Sequence, residues 1–146
     1  MSEIFEHEIR VGWGDCDPAQ IAYTGNIPRW ALATIDAWWE AQLGGGWYHM
    51  ELDLGFGLPF VHMTMDFTAP ITPRHRLICR AWPLAIGGAS VTFRVIGLQD
   101  GVQCFTGRFV SVFTRAGVMR ASPSPDEVRA LVEGLIRPDI PEPGAG

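Results

Sequence analysis

Hydrophobic and polar positions alternate along this chain with two different periods, and the change of period marks the boundaries of its elements. Residues 6 to 13 alternate with a period of two, with Ile9, Val11 and Trp13 on one side, which predicts a half-buried strand. Residues 27 to 43 have apolar positions every three or four residues, which predicts a helix that packs against the core. The apolar stripe of this helix consists of Ile27, Trp30, Ala31, Ile35, Trp38 and Trp39.

The predicted helix has sequence signals at both of its ends. We expect Asn26 to be the N-cap, because its side chain can accept a hydrogen bond from a free N–H group of the first turn. Pro28 is tolerated in that turn, since the first N–H groups of a helix have no partner within it. The run Gly44-Gly45-Gly46 should end the helix, because glycine readily adopts the left-handed conformation found at helix termini.

Four further runs have the alternation of strands, at about residues 60–68, 75–86, 89–99 and 102–114. Gly87-Gly88 and Asp100-Gly101 predict tight turns between the last three. Two of the runs have large apolar residues on one face: Val61, Met63, Met65 and Phe67 in the first, and Phe105, Phe109 and Phe113 in the last. Such faces need an apolar cover. The sequence therefore predicts an α+β fold in which a curled, antiparallel, five-stranded sheet wraps around one long helix.

The C-terminal part of the chain predicts a short closing helix and a tail. Ser124, Pro125 and Glu127 form a capping-box pattern, with a helix to about residue 136. Its apolar stripe consists of Val128, Leu131, Val132 and Leu135. Residues 138–146 are rich in proline and glycine and predict a flexible tail, so that residues 1–137 form a single domain.

The composition excludes several classes of function. The chain has 146 residues, the length of a single domain that can bury a core without disulfides or a metal. Its 16 acidic and 11 basic residues give a net charge of −5, which argues against a nucleic-acid partner. All 11 basic residues are arginine, so chemistry that depends on a lysine Schiff base is excluded.

The start of the chain and the spacing of its cysteines bear on location and metal binding. The acidic start of the chain lacks the features of a signal peptide, and no apolar run approaches the length of a membrane span, so we expect a soluble, cytoplasmic protein. Cys16, Cys79 and Cys104 are widely spaced, without the pattern of a zinc site. We expect reduced thiols in the core and no metal.

Candidate chemistry lies between the first strand and the helix, where residues 12–18 read Gly-Trp-Gly-Asp-Cys-Asp-Pro. A carboxylate on a loop that leads into a helix lies beside N–H groups with partial positive charge, so one segment can offer a base or nucleophile together with an oxyanion site. Asp17 is the candidate carboxylate. Its alternative role is that of a turn aspartate, which is common in Asp-Pro. Asp15 could exchange roles with it, although we expect Asp15 to bond loop amides.

The residues Gly14, Asp15, Asp17 and Pro18, with the run Ala22-Tyr23-Thr24-Gly25-Asn26, resemble the signature of the hotdog-fold thioesterase superfamily, especially the branch of 4-hydroxybenzoyl-CoA thioesterase. The order of strand, helix and four strands also fits this fold. The resemblance implies that Asp17 attacks a thioester carbonyl or activates water to do so, without a cofactor. It also implies an acyl-CoA substrate and a homo-oligomer, a dimer or a tetrameric dimer of dimers, with active sites between subunits.

The resemblance also implies positions for the remaining site residues. Backbone N–H groups near Tyr23, Thr24 and Gly25 would bind the oxyanion, so the catalytic set is Asp17, Thr24 and Gly25. Relatives often have tyrosine at the position of Thr24. This chain departs from that pattern, which affects the local geometry of the oxyanion site. The predicted substrate contacts are Tyr23, Asn26, Trp30, Trp47 and Ser90. Trp30 also belongs to the helix stripe, where packing in the core or a subunit interface is its other interpretation.

The aromatic residues around the loop and the helix ends favour a flat, aromatic acyl group, benzoyl or monohydroxybenzoyl. Leu32 stands where the hydroxybenzoyl-specific relative has an acidic residue, which favours the unsubstituted ring. Some relatives have a basic cluster before the serine of the fourth strand, whereas this chain has Gly87-Gly88-Ala89 before Ser90. The candidate cations for CoA phosphates are Arg74, His75, Arg76, Arg108 and Arg115. His62 is predicted to be a partly buried structural histidine.

Two other functions remain open on the sequence. A hydratase or dehydratase is possible because one fold hosts several activities. Those relatives usually have an Asp-x-x-x-x-His motif, which is absent after Asp15 and Asp17. A non-catalytic acyl-binding protein would keep the pocket without turnover.

Overall fold

A computed structural model describes residues 4–139 as seven strands and three helices. The strands are β1 (Phe5–Ile9), β2 (Phe56–Gly57), β3 (Phe60–Phe67), β4 (Leu77–Ile86), β5 (Ser90–Gln99), β6 (Val102–Val112) and β7 (Thr114–Arg115). The helices are α1 (Asn26–Leu43), α2 (Trp47–His49) and α3 (Asp126–Glu133), with a 3₁₀ turn at Trp13–Asp15 and a π-helical turn at Met50–Leu54. No helix in the described part of the chain is long and apolar enough to cross a membrane.

The main sheet has five antiparallel strands in the order β1-β4-β5-β6-β3. The predicted turns join its central strands: the Gly87 N–H donates to the Ser90 carbonyl, and Asp100 and Gly101 have φ angles of 50° and 76°. Helix α1 contacts β1, β4 and β5. The predicted arrangement of a sheet around one helix is therefore confirmed.

An aromatic cluster fixes α1 against the sheet. The Trp38 ring lies edge-on to both Trp39 and Phe93, with centroid distances of 4.9 Å in each case. Phe93 comes from the middle of β5, so these contacts join the helix stripe to the centre of the sheet. Each such pair contributes about 0.5–1.5 kcal/mol beyond its buried area. The three phenylalanines that were predicted to share a face of the last long strand, Phe105, Phe109 and Phe113, are all buried.

The first strand is shorter than predicted. It pairs with β4 only from Phe5 to Ile9, and β4 begins at Leu77 opposite Ile9, so the residues after Ile9 have no neighbouring strand. The chain then forms the 3₁₀ turn, which is held by a hydrogen bond of 2.8 Å from the Gly12 N–H to the Asp15 carboxylate. As a result Val11 is buried, but the Trp13 side chain is 90% exposed instead of lying on the strand's inner face.

The beginning of α1 also differs from the prediction. Asn26 is the first residue of the helix rather than its N-cap, and Gly25 before it already has helical angles of −62° and −21°. No side chain caps the helix, and the Asn26 carboxamide instead donates a hydrogen bond through its Nδ2 to the Asp15 carbonyl. The predicted helix end is confirmed, since Gly44 takes the left-handed conformation with φ of 79°.

Strand β3 is an edge strand whose apolar face has no cover among residues 4–139. Val61, Met63 and Phe67 are exposed, and only Met65 of the predicted face is partly buried. His62 is exposed as well, so the prediction of a partly buried histidine is wrong. The strand forms where the alternation predicted it, but no element of residues 4–139 covers its apolar face.

The closing helix α3 begins without the predicted capping box. Pro125 occupies the N-cap position, and the buried Ser124 hydroxyl has no hydrogen-bond partner among the described residues. Proline lacks the N–H group that would complete the reciprocal bond of such a box. Val128 and Val132 are buried, as their stripe predicts.

The first residues of the predicted tail lie within the described part. The Asp139 carboxylate accepts two hydrogen bonds from the Arg94 guanidinium, at 2.8 and 2.9 Å, and the Arg94 side chain is buried on the sheet. Residues 140–146 lie outside the described residues.

Candidate active site

The loop between β1 and α1 is braced through Asp15. The Asp15 carbonyl accepts hydrogen bonds from the Tyr23 N–H at 2.9 Å and from the Asn26 carboxamide at 2.8 Å. Its carboxylate accepts the Gly12 N–H, as described above. Asp15 therefore bonds loop amides, as predicted, and joins the start of the loop to the start of the helix.

Asp17 lies at the tip of a small hairpin within this loop. Cys16 and Ala22 form an antiparallel bridge, and the Asp17 N–H donates to the Ile21 carbonyl at 3.0 Å. The reversal is completed by Gln20, whose φ of 67° is unusual for a residue with a side chain. The Ala22 N–H donates to the Ile71 carbonyl at 2.7 Å, which attaches the hairpin to the segment before β4.

The Asp17 carboxylate has one occupied and one open oxygen. Oδ1 accepts the Ala19 N–H at 2.9 Å, which is the turn role of an aspartate before proline. Oδ2 has no hydrogen-bond donor among residues 4–139, and the side chain is half-buried. The carboxylate faces a cleft of about 630 Å³, here called the Asp17 cleft, that is also lined by Trp13, Cys16, Pro18, Gln20 and Pro73. The turn bond orients the carboxylate without consuming both oxygens.

The N–H groups at the helix entrance differ in availability. The Tyr23 N–H is not available to a ligand, because it donates to Asp15. The N–H groups of Thr24 and Gly25 have no protein acceptor in the described part of the chain. These two donors, at the positive end of an 18-residue helix, are what an oxyanion requires.

Gly25 lies beneath the exposed ring of Tyr23. A Cβ atom at position 25 would come within 2.5 Å of that ring, so the present packing requires glycine. Thr24 lines a second cleft of about 520 Å³, the Thr24 cleft, together with Ile27, Phe67 and Ile71 among others. Within one chain, Asp17 and Thr24 thus line different clefts.

Trp47 is at the opposite end of the molecule from this loop. It follows the C-terminal end of α1, whose 18 residues span about 27 Å. Its ring lies edge-on to Phe60, with a centroid distance of 5.3 Å, and its indole N–H is buried without a partner among the described residues. A third cleft of about 600 Å³, the Trp47 cleft, is lined by Leu32, Trp47, Tyr48, Leu58, Phe60, Arg115 and Met119 among others.

Ser90 and Trp30 are also remote from Asp17 or inaccessible in the single chain. Ser90 is the first residue of β5, beside the β4–β5 turn, whereas Leu77 is at the other end of β4. A strand of ten residues spans about 30 Å, which separates these two ends. Trp30 is only 7% exposed and packs in the core. Of the predicted residues, the structure therefore brings Asp17, Tyr23, Thr24, Gly25 and Asn26 together in one loop, but not Trp30, Trp47 or Ser90.

Several cleft residues were not anticipated from the sequence. Pro73 lines the Asp17 cleft, Phe67 the Thr24 cleft, and Phe60 and Met119 the Trp47 cleft. No local pattern marks them, because each reaches its cleft through contacts between segments far apart in the sequence.

The thiols of the core are unsuited to nucleophilic catalysis. Burial raises the pKa of Cys79 from its ordinary value of 9.0 to about 12, and a hydrogen bond with Thr34 only partly opposes this. Burial also raises the pKa of Cys104. Since the thiolate is the reactive form, both groups are inert near neutral pH. Residues 4–139 contain no group of three His, Cys, Asp or Glu side chains placed to hold a metal ion.

Comparisons with known proteins agree with the fold. Residues 11–132 match the family model of the thioesterase-like superfamily. A thioesterase-superfamily structure from Jannaschia sp. CCS1 is 55% identical, with a TM-score of 0.90 over 94% of this chain and 96% of that chain. No curated protein matches the chain.

Two more distant structures share the fold. A 1,4-dihydroxy-2-naphthoyl-CoA thioesterase from Synechocystis is 17% identical, with a TM-score of 0.79 over 89% of this chain and 96% of its own. A mutant of 4-hydroxybenzoyl-CoA thioesterase in complex with 4-hydroxybenzoyl-CoA is 19% identical, with a TM-score of 0.77 over 90% of this chain and 99% of its own. The sheet wrapped around one helix is thus the hotdog fold, and the chain belongs to the thioesterase-like superfamily as a thioester hydrolase.

Proposed function

We propose that this thioesterase hydrolyses an aromatic acyl-CoA and that Asp17 supplies the carboxylate of the reaction. The observation that carries the proposal is the pairing of an open Asp17 Oδ2, within a short hairpin, with the two unpaired N–H groups of Thr24 and Gly25, which follow that hairpin directly. Acyl transfer needs both a nucleophile or base and donors for the developing oxyanion.

The chemistry follows from these two groups. The N–H groups of Thr24 and Gly25 donate hydrogen bonds to the thioester oxygen as it becomes negative. Asp17 either attacks the carbonyl carbon, giving a mixed anhydride that water then hydrolyses, or removes a proton from the attacking water. In both routes the carbon–sulfur bond breaks, the thiolate leaves as free CoA, and the acyl group becomes a carboxylic acid. The neighbour in complex with 4-hydroxybenzoyl-CoA carries an aspartate-to-asparagine substitution, which supports a carboxylate in the reaction.

The complete site is proposed to form between two copies of the chain. Strand β3 has an unpaired edge, and its two ends adjoin different clefts: Phe60 lines the Trp47 cleft and Phe67 lines the Thr24 cleft. If two β3 edges pair antiparallel about a twofold axis, the Phe67 end of one strand meets the Phe60 end of the other. This pairing joins the Thr24 cleft of one chain to the Trp47 cleft of its partner. A dimer is then the minimal active unit, and two dimers can form a tetramer.

The Trp47 cleft is suited to an aromatic acyl group. Its walls include Leu32, Trp47 and Phe60, which offer flat, apolar surfaces to a ring. The charged Glu51 in its wall is already bonded, since its carboxylate accepts the Gly117 N–H at 2.8 Å. The two distant neighbours reported above are thioesterases of hydroxylated aromatic acyl-CoAs, which supports an aromatic substrate. The aliphatic Leu32 favours benzoyl-CoA over its hydroxylated forms, because a buried hydroxyl without a partner costs about 1–3 kcal/mol. We also retain the prediction of a cytoplasmic enzyme.

The test is the release of free thiol from a panel of benzoyl-, hydroxybenzoyl-, short-chain and long-chain acyl-CoAs at one pH. We expect the highest kcat/KM for benzoyl-CoA, followed by monohydroxybenzoyl-CoA. A preference for acetyl- or palmitoyl-CoA would overturn the aromatic assignment but keep the thioesterase. Binding without thiol release from any member of the panel would instead favour an acyl-binding protein.

A further inference from the structure

A basic pocket adjoins the Asp17 cleft. Its walls are formed by Arg10 at the end of β1, and by Arg74, His75 and Arg76 in the segment before β4, and it encloses about 360 Å³. Trp13 and Pro73 line both this arginine pocket and the Asp17 cleft, so the two are contiguous. Three guanidinium groups gather here in a chain whose net charge is −5.

These cations are only weakly neutralised by the protein. Arg10 and Arg74 have no carboxylate within ion-pair distance among residues 4–139. Arg76 lies 3.9 Å from Glu8, and His75 lies 4.0 Å from Asp100, both long contacts between exposed side chains. Such surface pairs contribute little, so a phosphate group can displace them. Guanidinium groups are well suited to phosphate because they donate two parallel hydrogen bonds.

The segment that carries Arg74 and His75 is held in place by a buried side chain. Gln99, at the end of β5, is only 6% exposed. Its amide accepts the Thr72 N–H at 3.0 Å and donates to the carbonyls of Thr72 and His75, at 2.8 and 2.7 Å. The three bonds fix the conformation of the segment before a ligand arrives, which lowers the entropy lost on binding.

Trp13 adds an aromatic surface at the junction. Its side chain is almost completely exposed on the 3₁₀ turn, whose backbone is fixed by the bond from Gly12 to Asp15. A purine base stacks favourably on such a ring. Cations beside an exposed indole form the combination that recognises a phosphorylated nucleoside.

We propose that the arginine pocket binds the phosphorylated adenosine end of the CoA substrate, with Arg10, Arg74 and Arg76 on the phosphates and Trp13 against the base. The proposal rests on the proposed function for the identity of the ligand. It also accounts for the glycines before Ser90, because the phosphate-binding cations are supplied by another segment of the chain.

The first experiment measures binding of adenosine 3′,5′-bisphosphate by isothermal titration calorimetry. This molecule carries the base and two of the three phosphates of CoA but no thioester. The variant Arg74→Gln/Arg76→Gln removes two charges, and Arg120→Gln/Arg137→Gln removes two charges elsewhere as the matched control. We expect Kd to rise roughly tenfold or more in the first variant and to change less than about twofold in the control. Equal binding by both variants would overturn the proposal.

The second experiment compares benzoyl-CoA with benzoyl-pantetheine, which lacks the adenosine and its phosphates. In Arg74→Gln/Arg76→Gln, KM should rise for benzoyl-CoA and stay unchanged for benzoyl-pantetheine, with kcat preserved for both. A parallel rise for both substrates would contradict the assignment. If the wild type cleaves neither thioester, the proposed function fails, while the calorimetric result still decides whether the pocket binds the nucleotide.

A third variant tests the brace on the pocket. Gln99→Met keeps the length of the side chain and every arginine but removes the three hydrogen bonds to the Thr72–His75 segment. We expect it to weaken binding of adenosine 3′,5′-bisphosphate while circular dichroism shows the wild-type fold. Wild-type affinity in this folded variant would show that the segment needs no brace and would overturn the claim that the pocket is preorganised.

Discussion

Asp15 and Asp17 are two residues apart, and their hydrogen bonds give them different roles. Asp15 bonds the backbone of the loop through both its carbonyl and its carboxylate. Asp17 uses one carboxylate oxygen for the Ala19 N–H and leaves the other open toward a cleft. Asp17 can therefore be both a turn aspartate and a reactive carboxylate, since one of its oxygens serves the turn and the other is open.

We expect Asp17→Asn to lower kcat roughly a thousandfold or more, because it removes the negative charge but keeps an oxygen that can accept the Ala19 N–H. Thiol release from benzoyl-CoA measures this effect. Asp15→Asn is the matched control, since asparagine can still accept the Gly12 N–H, and it should retain activity within about tenfold. A larger loss of kcat in Asp15→Asn, with both variants folded by circular dichroism, would reverse the assignment of roles.

Cys79 makes stability depend on pH in the alkaline range. Its folded pKa of about 12 lies above the ordinary value of 9.0 that applies to the unfolded chain. Between these values the unfolded chain binds fewer protons than the folded chain, so the free energy of unfolding falls as pH rises. The slope from this single group is at most about 1.4 kcal/mol per pH unit.

Urea unfolding at a series of pH values above 8 measures this slope. Cys79→Ala should be less stable near pH 8, because it loses the packing of a buried side chain, but its free energy of unfolding should fall less steeply with pH than that of the wild type. Cys16→Ala is the control, because it removes a thiol outside the core. It shows whether the change of slope depends on the buried thiol or follows the loss of any thiol. Equal slopes for the wild type and Cys79→Ala would contradict the burial argument.

At the scale of elements, the parts set by local chemistry were the predictable ones. Gly87-Gly88 and Asp100-Gly101 mark turns, and Gly44 marks a helix end, because each depends on a few adjacent residues. The pairing of β2 with β7 was not predicted, since it joins segments more than fifty residues apart. The Asn26 prediction failed for a related reason: the helix begins at Asn26 itself, and the side chain bonds the Asp15 carbonyl, eleven residues earlier, instead of a helix N–H group.

The same distinction applies to the candidate site. The loop from Gly12 to Asn26 was predictable because its chemistry and its position before a helix are both local. Trp47 and Ser90 could not be placed relative to Asp17 from the sequence, because their separation is set by the lengths of α1 and β4. Only pairing with a second chain would bring such distant ends together.

The entrance to α1 offers a test that separates catalysis from stability. In Gly25→Ala the backbone angles suit alanine, but the new methyl group must displace the Tyr23 ring and lies beside the N–H groups proposed to bind the oxyanion. Because the Tyr23 side chain is 59% exposed and can move, we expect thermal stability to stay within a few degrees of the wild type. We expect kcat to fall roughly tenfold or more.

Gly14→Ala is the matched control for this variant. A Cβ atom at position 14 would meet no atom within 4 Å, so the same chemical change is made in the same loop without crowding. It should leave kcat near the wild-type value. If Gly25→Ala were as active as Gly14→Ala, the oxyanion site could not depend on the space beside Gly25.

At the scale of the whole molecule, we propose that a second copy of the chain covers the apolar face of β3. Val61, Met63 and Phe67 expose apolar surface beside an unpaired strand edge, a combination that otherwise favours uncontrolled association. Burying one such side chain stabilises an interface by about 1.5–3 kcal/mol. In a twofold dimer the same side chains are buried on both chains, so a modest patch can stabilise the dimer.

We expect analytical ultracentrifugation of the wild type at micromolar concentration to show a dimer or tetramer. Val61→Lys/Met63→Lys should dissociate it, because four like charges would meet across the twofold axis, whereas Val102→Lys, at the exposed start of β6, should not. The dissociated variant should also lose thioesterase activity while remaining folded by circular dichroism, since the Thr24 cleft and the Trp47 cleft are proposed to meet only between chains. A wild-type monomer with full activity would contradict both the interface and the shared site, because one chain places Trp47 about 27 Å of helix away from the loop that carries Asp17.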